Sequence, residues 1–155
     1  MAAGDKKYLT NDQDGNDVLS EAVHFTFGGE LADATAYTFI WVTPKAIEVT
    51  DVQLALDITG AGGTDVEVDV LDDGTSVLTA LPALAVAAAN EAVARVGASG
   101  TGITATVVKS DGSEVIASGS TVKITLTADG TFSTQPKDAT ITLVYKEQQD
   151  FDPQP

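Results

Sequence analysis

From Thr64 to Leu84 the chain reads TDVEVDVLDDGTSVLTALPAL, and this stretch restricts the fold more than any other. Val66, Val68 and Val70 alternate with Asp65, Glu67 and Asp69. Successive residues of a strand point to opposite faces, so the run has one apolar face and one carboxylate face. It stops at Asp72-Asp73-Gly74, where aspartate and glycine accept the positive φ of a tight turn. A second apolar run, Val77 to Leu84, follows and ends near Pro82. The expectation is a β-hairpin with one face in a core and the other in water.

Most of the chain repeats this pattern. Glu21 to Phe27 alternates Val23, Phe25 and Phe27 against Ala22, His24 and Thr26, a short strand that Gly28-Gly29 should break. Glu30 to Thr35 reads as a loop or at most one helical turn. Ala36 to Pro44, AYTFIWVTP, is β-branched and aromatic, holds Trp41, and reads as a strand stopped by Pro44. In Ala46 to Ile58 the apolar parity changes: Ile47 and Val49 share one face, and Val52, Leu54, Leu56 and Ile58 the other. A β-bulge or bend near Thr50-Asp51 produces such a switch.

Ala83 to Val96 admits two readings. Its alanines favour helix, yet Val86, Val93 and Val96 trace no continuous helical stripe, so a strand followed by a loop stands beside a short helix. Beyond the glycine-rich turn at Gly97 to Gly102, Ile103, Ala105 and Val107 alternate with Thr104 and Thr106. Val115-Ile116, Thr121 to Thr127 and Ala139 to Tyr145 are further strands. Val122, Ile124 and Leu126 point inward in the second of these, and Ile141, Leu143 and Tyr145 share one face in the last. About eight strands with turn signals at close intervals make an all-β fold, an antiparallel β-sandwich of jelly-roll type. The organisation is an extended N-terminal arm over residues 1–20, a sandwich domain over 21–146 and a polar C-terminal tail over 147–155. An arm of this polarity takes an ordered path only where its own domain or a neighbouring chain holds it.

Composition narrows the function. With 23 acidic against 8 basic side chains, the formal charge is −15. Such a surface repels phosphate backbones and anionic membranes, so neither nucleic acid nor membrane is an expected partner. It serves solubility, a partner with basic patches or a high-salt environment. There is no cysteine, hence no disulfide, thiolate nucleophile or Cys-ligated metal. The first residues carry no apolar signal core and no run reaches transmembrane length, so synthesis in a cytosol without export is expected.

No constellation dictates a chemistry. His24 is the single histidine, on the polar parity of its strand, and no G-x-S-x-G elbow accompanies it. Asp65, Glu67 and Asp69 lie ~7 Å apart along one face, too spread for calcium, which needs six to eight converging oxygens. A solvated sheet face is the plainer reading. Asp12 to Asp17, DQDGND, meets only part of a calcium-loop pattern, with Thr10 where the first aspartate belongs and Glu21 at the last position. The turn at Gly97 to Gly102 lacks the Gly-Lys-Ser/Thr ending of a phosphate cradle. No catalytic residue, cofactor or metal is expected.

The segments VTDVQLALDITGAGGTDVEVDVLDDGTSVLT, VVKSDGSEVIASGSTVKITLTADGT and DATITLVY, within Ala46 to Tyr145, carry a likeness. With their Thr-rich outer faces and D-G-T or D-G-S turns, they resemble β-sandwich structural proteins of tailed bacteriophage virions, most of all capsid decoration (cement) proteins. That resemblance implies a non-enzymatic protein on the capsid surface of a virion. It would clamp neighbouring capsomers, with the major capsid protein and its own copies, as a homotrimer, for partners. Lys6 and Lys7 would then pair with acids of a neighbour, Tyr8 and Leu9 would fill a groove, and Phe151 would anchor the tail. The alternative is a head-fibre or tail module that binds a host receptor or carbohydrate, for which Tyr37, Trp41 and Phe132 are the available aromatics.

Overall fold

In the computed structural model, which describes residues 20–148, the first strand pairs with the last and the second with the second to last. The strands are β1 (Glu21–Glu30), β2 (Thr35–Val42), β3 (Ile47–Ile58), β4 (Asp65–Asp72), β5 (Thr75–Ser76), β6 (Leu78–Ala80), β7 (Ala83–Ala85), β8 (Val93–Ala94), β9 (Ile103–Thr104), β10 (Val107–Val108), β11 (Val115–Ile116), β12 (Thr121–Asp129) and β13 (Lys137–Glu147). One sheet runs β1-β13-β3-β11, with β8 also on β3. The other runs β2-β12-β4-β7-β9, with β5 also on β4. Their pairings are antiparallel. Nested pairs dealt alternately to two sheets are the jelly-roll arrangement, so the expected sandwich is what forms.

The alternation seen in the sequence becomes the core. Val52, Leu54 and Leu56 meet Ile141 and Leu143 across β3 and β13. Val66, Val68 and Val70 stand beside Ile124 and Leu126 of β12 in the facing sheet. All of these are fully or almost fully buried. Each such side chain contributes roughly 1.5–3 kcal/mol through burial. Leu31 and Phe132 close one end.

The parity switch in β3 is a bulge. Val144 lies opposite Asp51, and Tyr145 opposite Val49, so Thr50 has no residue facing it. The Thr50 hydroxyl donates to the Val144 carbonyl at 3.2 Å. The extra residue lets Ile47 and Val49 point into the same core as Val52 and Leu54.

Several local expectations are corrected. Gly28-Gly29 does not end β1; a bulge between Phe27 and Glu30 absorbs the glycines, and the Gly29 N–H donates to Asp138 Oδ1 at 2.7 Å. The hairpin after Asp72-Asp73-Gly74 forms, with φ of 48° at Asp73 and 79° at Gly74, but its return strand is not continuous. β5 pairs with β4, β6 leaves to pair with β10, and β7 returns to β4 beyond Pro82. The run from Ile103 to Val107 also splits, because β9 joins β7 while β10 joins β6. Between them Thr106 is buried and donates its hydroxyl to the Val52 carbonyl.

Ala83 to Val96 takes the strand-and-loop form. Leu84 is held between Val66 and Ile103 in the sheet, and Glu91 has a φ of 66°, which no helix contains. Asn90 Oδ1 accepts the Thr59 N–H at 3.0 Å and pins the loop to the end of β3. Pairing on both sides outweighs alanine's helix propensity, which is worth only tenths of a kcal/mol per residue.

Candidate functional site

The outer face of the β2-β12-β4 sheet divides into two regions, each set by cross-strand register. Toward one end, Asp65 lies opposite Asp129, Glu67 opposite Thr127 and Asp69 opposite Thr125. These four carboxylates share one end of the face, and none of the ion pairs among the described residues involves them. Burial, then the Asp129 charge, raises the Asp65 carboxyl above its ordinary range. Glu67 is raised by burial and by Asp65, Asp129 and Asp69 together. Among the described residues, like charges are therefore held close together with no ion pair to balance them. Among the described residues no group of three or more His, Asp or Glu side chains is placed to hold a metal ion.

Toward the other end the face exposes apolar side chains around Lys123. Ile40 and Val42 of β2 are each 57% exposed, and Leu71 of β4 is half-buried two strands away. Lys123 stands between Ile40 and Leu71 in the register.

Lys45 links the strand ends at 3.0 Å from Glu21 and 3.2 Å from Glu147. The Lys45 hydrogen bond holds the Glu21 carboxyl below its usual range. At the opposite end Asp33 Oδ1 accepts the Phe132 N–H at 3.0 Å and the Gln135 amide at 2.9 Å. Those bonds lower its pKa and join the β1–β2 turn to the β12–β13 loop. A shallow, open cleft lined by Glu30, Leu31, Ala32, Asp33 and Gln135 lies beside this junction.

The sequence candidates fall as follows. Lys6, Lys7, Tyr8, Leu9 and Phe151, the arm and tail contacts, lie outside the described residues, as does the Asp12 to Asp17 loop. His24 is exposed on β1, with Nδ1 3.0 Å from the Thr142 hydroxyl. The aromatics do not form a sugar platform. Trp41 is half-buried against Tyr145 at 5.4 Å between ring centroids, Tyr37 packs on Phe27 at 4.3 Å, and Phe132 is buried. Asp65, Glu67 and Asp69 share a face as read, but Asp129 was missed as their partner. The signal was present, since Asp129 keeps the outward parity of Lys123, Thr125 and Thr127, but the pairing of β4 with β12 is not written in either segment.

Together these features define a jelly-roll β-sandwich with an acidic and an apolar outer region. No family model matches the chain, and no curated relative matches it. Among solved structures, similarity is found to the nucleoplasmin-like N-terminal domain of Drosophila FKBP39, at 12% identity over 88% of this chain and 98% of that one, with a TM-score of 0.32. It is also found to a chain of infectious bursal disease virus Gx strain, at 13% identity over 86% of this chain, with a TM-score of 0.33. This chain spans 33% of the virus chain. A virus thus supplies one of these structural neighbours, but similarities this distant carry no assignment of family or function. Among the described residues no helix is long and apolar enough to cross a membrane.

Proposed function

We propose that this is a non-enzymatic structural protein of a virion, of the capsid-decoration kind, which binds a shell of major capsid protein and bridges neighbouring capsomers. The observation that carries the reading is the unbalanced carboxylate face of Asp65, Glu67, Asp69 and Asp129. Folding leaves these groups in mutual repulsion, and a basic patch on a partner would relieve it, so the face favours association with a cationic protein surface. The same charge disfavours nucleic acid. Many copies on a symmetric shell turn a modest contact into firm attachment.

The test mixes the purified chain with capsid shells lacking it and measures co-sedimentation against concentration. A second series uses Asp65→Asn/Glu67→Gln, and a third removes residues 1–20. Saturable binding, weakened by salt and by the carboxylate substitutions, is expected. Loss on removal of residues 1–20 would make the arm an anchor beside that face. Absence of binding to shells at any concentration would sink the reading.

A further inference from the structure

β2 is the one strand of eight or more residues among those described that carries no Asp, Glu, Lys or Arg, and it is also an edge. Its sequence is TAYTFIWV, without proline, glycine or charge. Natural edge strands normally carry a charge, a proline or a bulge that prevents pairing with another chain. The companion edge obeys this rule, since β1 has Glu21, Glu30 and the bulge at Gly28-Gly29. β2 has none of these devices along its eight residues, about 26 Å of strand.

The hydrogen-bond phase of this edge is fixed. The Thr43 N–H donates to the Ser120 carbonyl at 3.0 Å. In an antiparallel ladder these bonds alternate, so Trp41, Phe39 and Tyr37 bond toward β12. The N–H and C=O groups of Ala36, Thr38, Ile40 and Val42 therefore point to the open side. Their side chains line the outer face, where all four are exposed.

We propose that β2 pairs antiparallel with β2 of a second copy about a two-fold axis, joining two sheets into one. The edge is self-complementary, which selects this occupant. Antiparallel pairing about a two-fold sets residue i against j and j against i, so a second β2 brings the same open N–H and C=O groups in matching phase. A strand without charge also meets itself in any register without setting like charges opposite each other, which matters in a chain at −15. Registers that keep outward residues opposite one another set Ile40 against Ile40 or Val42 of the other copy. The exposed apolar end of the face is then covered, and main-chain bonds supply the affinity. This two-fold contact differs from the threefold association that the sequence resemblance implies, and it rests on nothing about capsids.

The test is sedimentation equilibrium of the full chain without shells, on the native sequence and on Ile40→Lys and Ile40→Glu. The native chain should be a dimer. Each variant alone should associate at least tenfold more weakly, with an unchanged melting temperature, and a one-to-one mixture of the two should recover the dimer. If either variant melts early, Val42→Lys repeats the measurement on the same outward row. A native monomer, a trimer, or a dimer that persists in both single variants would overturn the proposal. So would amide protection at Ile40 and Val42 that does not depend on concentration, because a segment of the same chain would then cover the edge. Shell binding is not read in this experiment, so failure here leaves the decoration reading standing, and the reverse also holds.

Discussion

Asp65 and Asp129 stand directly opposite each other across β4 and β12, and the Asp129 charge helps to raise the Asp65 carboxyl. Like charges facing across strands cost about 0.2–1 kcal/mol. Asp129→Asn should therefore stabilise the protein by a few tenths to about 1 kcal/mol. The gain should shrink in high salt, which screens exposed charges. Thermal melts of the two proteins at low and high salt check this, and a lower melting temperature for the variant would contradict it.

The pH dependence has a defined sign. Asp65 and Asp72 lie above their ordinary 3.8, and Glu67 above its ordinary 4.5, chiefly through burial and then through like charges. In the window from those ordinary values up to the raised ones, the folded chain holds protons that the unfolded chain has released. Stability therefore falls as pH rises through the window and recovers as pH is lowered through it. Glu21, Asp33 and Asp111 shift the other way, so the stability they contribute is lost only below the ordinary carboxylate range. The melting temperature is expected to rise as pH is lowered through the window just above the ordinary carboxylate values. A fall over that interval would show that other groups dominate.

Thr50 is the residue that keeps both halves of β3 facing the core. Deleting it should turn either Ile47 and Val49 or the Val52–Leu56 row outward, at a cost of about 3 kcal/mol or more. Denaturant unfolding should show a large loss of stability or no cooperative transition. A near-native midpoint would mean that the bulge had moved to another residue.

Gly102 has a φ of 71°, and a Cβ there would lie 2.6 Å from the Ala88 backbone nitrogen. Gly102→Ala should cost about 1–3 kcal/mol, from left-handed strain and the clash together. Gly112→Ala is the matched comparison, since it has a φ of 99° with open space around it, and it should cost less. Equal losses at both sites would remove the role of the contact.

Local side-chain pattern was the most legible part of this protein. The period-two runs gave the buried faces of β4, β12 and β13, and the parity change at Thr50-Asp51 located a bulge within one residue. The Asp73-Gly74 turn followed from residue chemistry. These features were readable because alternation and turn conformation depend on neighbours in the chain. The broken return after Gly74 was not readable, because β5 stays on β4 for only two residues while β6 and β7 take partners farther along the chain, β10 and β9, that are too short to leave a pattern. The same limit hid Asp129 as the partner of Asp65, 64 positions earlier, although both acids were plain to see.

The sequence by itself determined the fold class, the inward faces, the negative surface and the absence of charge from TAYTFIWV. Only the tertiary structure decided that this uncharged strand lies at a sheet edge, and that four carboxylates from two strands share one end of a face. The physical reason is the same in both cases. A strand's alternation specifies which side chains point inward, whereas its neighbours are specified by long-range pairing energies summed over the whole sandwich.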